Sequence, residues 1–209
     1  MVDNKHIRLL LEKYFQTGGN VTIDKMGLVS CAGRVEISGT SLTKLPVQFK
    51  TVHGDFICVN NKLTTLEGVP STVRGSFWCQ VNQLKTLEHA PKTVGGHFAC
   101  NDNQLTTLAG APSITGDNFF CFSNPLDTLE GLPAVPGTLW LTYSSNLPLL
   151  RCLLAKEIRF WPEVTDPRET EKATTVQQIL NKNAGKGKRM IFDAQKELED
   201  AGFAENARW

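Results

Sequence analysis

Phe56, Phe77, Phe98 and Phe119 stand 21 residues apart, and a fixed period of this length means a chain built by stacking one small unit on the next. Cys58, Cys79, Cys100 and Cys121 keep the same period, as do Asn61, Asn82, Asn103 and Asn124. Two leucine columns follow, Leu63, Leu84, Leu105, Leu126 and Leu66, Leu87, Leu108, Leu129, and Pro70, Pro91, Pro112 and Pro133 complete the unit F-x-C-x-x-N-x-L-x-x-L-x-x-x-P. Six columns in register exclude coincidence. Degenerate coils extend the pattern, with Val35, Ile37, Leu42 and Leu45 one period before it and Trp140, Thr142, Leu147 and Leu150 one period after, for six coils of which four are regular.

Each column has a physical reading. Alternation in F-x-C puts both side chains on one face of a short strand, which predicts that they point into the core. The Asn that follows can bond backbone groups where the chain turns and so satisfy amides that would otherwise be orphaned inside the bend. The two leucines fill the convex side. Proline disfavours helix in the residue before it, and Gly54, Gly75 and Gly96 ease the return into the next strand, so the convex segments should be extended or tight turns. Stacked coils pair their strands in parallel at about 4.8 Å, and the end coils then need covers.

The unit resembles the leucine-rich-repeat signature L-x-L-x-x-N-x-L, with Phe and Cys in two of the leucine places. The resemblance implies an α/β solenoid, a parallel β stack of about six coils, whose concave face is a surface for partners. On this reading residues 1–32 form an amino-terminal cap, 33–147 the repeats and 148–209 a helical carboxyl-terminal cap. In the first cap, Asp3 to Phe15 has helical apolar spacing, and Val21 to Ile23 and Leu28 to Ala32 read as strands. In the second, three helices are expected. One opens at Pro148, buries Leu150, Leu153, Leu154 and Ile158 and closes at Pro162; after a polar stretch, Thr174 and Gln177 make a capping box for the next, which ends at Gly185; the third runs from Arg189 to Gly202, with Phe203 making the closing contact. The tail and the L-E-G-x-P coils look like those of small leucine-rich-repeat-like proteins encoded by bacteriophages. That second resemblance implies a viral origin and, with it, action on a host protein, for instance inhibition of a defence component.

The strand residues that do not face the core are the candidate site. One concave column reads Glu36, Ile57, Trp78, Ala99, Phe120, Leu141, and its neighbour reads Ser38, Val59, Gln80, Asn101, Phe122, Tyr143. Trp78 and Phe120 should stand roughly 10 Å apart across Ala99. Aromatics rimmed by Gln80, Asn101, Asn118 and His97, the last expected beside Asp102, match the make-up of interface hot spots. The expected partner is therefore a protein, the alternatives being that a terminal helix folds back over the patch or that the patch mediates self-association.

The remaining motifs weigh less. Residues in register on parallel strands point the same way in a file, whereas tetrahedral zinc needs converging ligands, so the cysteine ladder reads as reduced, buried thiols and no metal or cofactor is expected. The histidines His6, His53, His89 and His97 form no catalytic grouping, and the chain is read as non-enzymatic. Lys182, Lys186, Lys188 and Arg189 make a local basic cluster that could hold phosphate, and they carry the alternative of nucleic-acid or nucleotide binding. With 22 Lys+Arg against 21 Asp+Glu, no global field favours that alternative. The first residues carry only a brief apolar run and no stretch is long enough to span a bilayer, so a cytoplasmic protein is expected.

Overall fold

A computed structural model describes residues 3–161, 166–184 and 189–209. Helix α1 (Asn4–Tyr14) is capped by Asp3, whose carboxylate accepts hydrogen bonds from the Lys5 and His6 amides. Four short strands follow: β1 (Gln16–Thr17), β2 (Val21–Ile23), β3 (Val29–Cys31) and β4 (Val35–Glu36). The chain then alternates between two faces through β5 (Phe49–Val52), β6 (Phe56–Ile57), β7 (Thr72–Val73), β8 (Phe77–Trp78), β9 (Thr93–Val94), β10 (Phe98–Ala99), β11 (Ile114–Thr115) and β12 (Phe119–Phe120). Longer strands β13 (Val135–Leu141) and β14 (Ala155–Phe160) precede α2 (Pro167–Asn183) and α3 (Arg189–Asp200).

Two sheets result. One runs β1-β4-β6-β8-β10-β12-β13-β14 and the other β11-β9-β7-β5-β3-β2. Pairing is parallel from β4 to β14 and from β3 to β11, and antiparallel only where β1 meets β4 and β2 meets β3. The chain is thus a parallel β-solenoid of about six coils, as the 21-residue period predicts. The segments after Pro70, Pro91 and Pro112 run extended into β7, β9 and β11 of the second sheet, in line with the proline argument.

The columns pack as the alternation requires. Phe56, Phe77, Phe98 and Phe119 are fully buried in a file with ring centroids 5.7, 5.6 and 5.0 Å apart. Each such side chain removed from water contributes about 1.5–3 kcal/mol. Leu63, Leu66 and their counterparts, except the half-buried Leu126, close the other side of the core. Where one coil returns into the next there is no room for a side chain: a Cβ on Gly75 would lie 2.7 Å from the Gly54 carbonyl carbon.

The asparagine ladder is fully wired. Asn103 Oδ1 accepts from the Leu84 amide at 3.0 Å, while its Nδ2 donates to the carbonyls of Cys79, Cys100 and Asn101 at 3.1, 3.1 and 3.2 Å. Asn82 and Asn124 make the equivalent bonds one coil either way. Each Asn therefore ties its own coil to the one before it.

The carboxyl-terminal end departs from expectation. In place of a helix from Pro148, Leu150–Leu154 forms a 3-10 turn and Ala155–Phe160 is strand β14, paired in parallel with β13. Ile158 and Phe160 alternate inward, and leaving β13 unpaired would have exposed a row of backbone donors and acceptors. Tertiary pairing overrides the local helical spacing. Pro162, and the Gly185 expected to end the next helix, lie outside the described residues.

Helix α2 starts earlier than expected, at Pro167, because Asp166 is a better start signal than Thr174: its carboxylate accepts from the Arg168 amide at 2.9 Å and proline takes the first helical turn. Gln177, freed from capping, turns to the sheet. Its Oε1 accepts from the Phe160 amide at 2.8 Å, and Asn181 brackets Ile158, accepting from its amide at 2.7 Å and donating to its carbonyl at 2.8 Å. Two side-chain amides thus stand where the next strand would be. Helix α3 ends as predicted, with Gly202 at φ +86° and the Phe203 amide donating to the Leu198 carbonyl at 2.8 Å.

Candidate functional site

The eight-stranded sheet carries, on the side away from the core, a row of aromatic rings whose membership depends on the register of its last strands. Phe119 pairs with Leu139 and Phe120 with Trp140, a spacing of 20 residues, and Leu139 in turn pairs with Ile158 and Trp140 with Arg159. Losing one residue from the period exchanges the faces of everything that follows. Leu139 and Leu141 therefore continue the Phe and Cys core columns, and Trp140, expected in the core, joins the face of the sheet that points away from it.

Two expected site residues are corrected by the same slip. Leu141 is 0% exposed and Tyr143 is 7% exposed, both within the core. In their places along the columns stand Trp140 and Thr142, and β14 adds Arg159, with Trp161 directly after the strand and its amide donating to the Leu141 carbonyl. Trp161 is 46% exposed.

The other expected residues lie on the face of the eight-stranded sheet that points away from the core. Trp78 and Phe120 lean toward each other over Ala99, itself 1% exposed, so their rings are 6.3 Å apart, closer than the backbone spacing implied. Phe120 stacks on Trp140 at 6.1 Å, and Trp161 meets both Trp140 and Phe122 edge-on at 6.3 Å. His97 packs against Trp78 and Phe120 at 5.7 and 6.0 Å, and its Nδ1 lies 3.6 Å from Asp117, not beside Asp102. Asp102 instead accepts a 2.6 Å bond from Asn101, which is buried. Asn118 uses its Oδ1 on the Thr138 amide at 2.7 Å, and Gln80 and Ile57 are half-buried beside the row.

Sequence reasoning missed Trp140, Arg159 and Trp161. A signal for the first was present: Phe77-Trp78-Cys79 and Leu139-Trp140-Leu141 both set a Trp between two core residues. Arg159 caps the row, its guanidinium 5.4 Å from the Trp140 ring and its Nε 2.8 Å from Glu157.

The cysteine ladder lies beneath this face. Burial pushes the Cys58 thiol up to about 12 and raises those of Cys79, Cys100 and Cys121 strongly as well. Cys79 Sγ donates to the Ala99 carbonyl at 3.2 Å and Cys58 Sγ to that of Trp78 at 3.4 Å. Among the described residues no group of His, Cys, Asp and Glu side chains is placed to hold a metal ion. Of the basic cluster, Lys182 pairs with Glu197 at 2.8 Å and Arg189 opens α3, while Lys186 and Lys188 lie outside the described residues.

Fold and face together define a class: a parallel β-solenoid with an aromatic stripe on its eight-stranded sheet and amide-bearing side chains closing its last strand. No family model matches the chain, and neither a curated protein nor a solved structure does. Among the described residues no helix is long and apolar enough to cross a membrane.

Proposed function

We propose that the chain is a non-catalytic protein-binding module of the leucine-rich-repeat kind, encoded by a bacteriophage and acting in the host cytoplasm by binding a host protein through its concave face. One observation carries the reading. Trp78, Phe120, Trp140, Trp161 and Phe122 form an unbroken, partly exposed run of rings on a rigid sheet, and such apolar area is what interface hot spots are made of. The repeat unit and the phage-like tail support the kind and origin; inhibition or redirection of the host protein is the action such an origin suggests.

The test is affinity capture from host lysate, comparing the wild type with a Trp78→Asp, Phe120→Asp double variant whose fold is checked by circular dichroism. A protein retained by the wild type alone is the expected result. Equal recovery by both would sink the site assignment, and a dimer that the double variant dissolves would reassign the row to self-association.

A further inference from the structure

The protein contains a worked instance of what its concave face can recognise. Arg159 lays its guanidinium 5.4 Å from the Trp140 ring while its Nε holds Glu157 at 2.8 Å. Planar cation, aromatic face and carboxylate satisfy one another there, and lysine, a point charge on a flexible stem, would not stack in the same way.

Further along the row a related arrangement recurs, with the His97 imidazole where the guanidinium stands. Trp78 and Phe120 lean together, His97 packs on both, and Asp117 stands 3.6 Å beyond His97 with its side chain half exposed. Among the described residues neither Asp117 nor Asp102 pairs with a lysine or arginine. Gln80 Oε1, on the same face as Trp78, has no donor either. Beside this part of the row Asp117 thus keeps a half-exposed carboxylate whose one ion-pair partner among the described residues is His97. That combination repels phosphate and attracts a planar cation.

Direction follows from the row itself. From Trp78 to Trp161 it crosses five strands, β8 to β14, perpendicular to them, a span of about 19 Å that an extended segment covers with about six residues. Strand backbones here are already paired with their neighbours, so side chains must do the recognising.

Resting on the protein-binding reading, we infer that the concave face takes an extended, arginine-bearing segment of its partner laid along the solenoid axis, with one guanidinium seated at Trp78, Phe120 and Asp117. The probe is a fluorescein-labelled peptide of Gly-Pro-Arg repeated, titrated into the full chain by fluorescence polarisation beside versions carrying lysine and citrulline. The arginine peptide should bind at least about fivefold tighter than either, since stacking and charge are both needed. Asp117→Asn and Phe120→Ala should each remove most of that preference, with the fold of each variant checked by circular dichroism.

Equal binding of the arginine and citrulline peptides, indifference to Asp117→Asn, no binding up to about 1 mM, or a preference for oligothymidylate or chitohexaose would overturn the inference. The capture experiment stays separate. A host protein lost with Trp78→Asp, Phe120→Asp yet indifferent to Asp117→Asn would leave the protein-binding reading standing and remove only the arginine.

Discussion

Replacing Asn103 by alanine tests whether the asparagine ladder holds the coils together. Asn103 is 8% exposed and makes four hydrogen bonds, but their loss is unequal. The Cys79 carbonyl keeps its donor from Asn82, and the Cys100 carbonyl keeps its donor from Asn124. The Leu84 amide loses the acceptor that holds it at 3.0 Å. An orphaned buried donor costs about 1–3 kcal/mol, and two or three weakened bonds add about 0.5 kcal/mol each, so Asn103→Ala should cost about 3 kcal/mol. At a urea slope of about 2 kcal/mol/M the midpoint should fall by about 1.5 M with the slope unchanged. Asn103→Asp makes the complementary case: one oxygen can still accept from Leu84, while the other faces the Cys79 and Cys100 carbonyls. That repulsion and burial raise the carboxyl above its unfolded value, so the variant's stability relative to Asn103→Ala is greatest below about pH 4 and is lost as pH rises through the raised folded-state value. A midpoint shift for Asn103→Ala below about 0.5 kcal/mol equivalent, or an aspartate variant that gains stability relative to Asn103→Ala as pH rises, would refute the ladder argument.

Two further outcomes are expected. Val81 sits at φ +58° in a file of left-handed residues with Gly39, Asn60, Asp102 and Ser123; a β-branched side chain is strained there, so Val81→Asn should stabilise by about 1 kcal/mol and raise Tm by about 2–4 °C, and an unchanged or lowered Tm would count against it. The buried thiols, Cys58 at about 12, should resist an aromatic disulfide reagent at pH 8 until the chain unfolds. Because the folded pKa is raised, their contribution to stability is complete below about pH 8.5 and declines above it, and rapid modification of the native protein would contradict their burial.

The coils from Phe56 to Phe119 were legible because every determinant there is local and repeated. Phe and Cys alternate on a strand, Asn returns at the same turn, and each coil needs only its neighbour to be complete. The candidate site was half legible for the same reason. Trp78, Phe120 and Phe122 fall between core columns whose register is unambiguous, whereas at Leu139-Trp140-Leu141 the 21-residue period puts Trp140 inward and the local pattern puts it outward.

What the amino-acid sequence determined by itself is the period, and with it a parallel stack whose core columns and asparagine ladder follow from spacing alone. Tertiary structure decided how the stack ends. The segment from Leu150 to Phe160 has the apolar spacing of a helix, yet β13 offers an unpaired edge that a strand satisfies with a full set of backbone bonds, and Gln177 and Asn181 then close β14 from a helix distant in sequence. That pairing turns Trp140, Arg159 and Trp161 outward and takes Leu141 and Tyr143 inward. A side-chain period of two makes facing all-or-none, so one residue lost from a coil was enough to redraw the site.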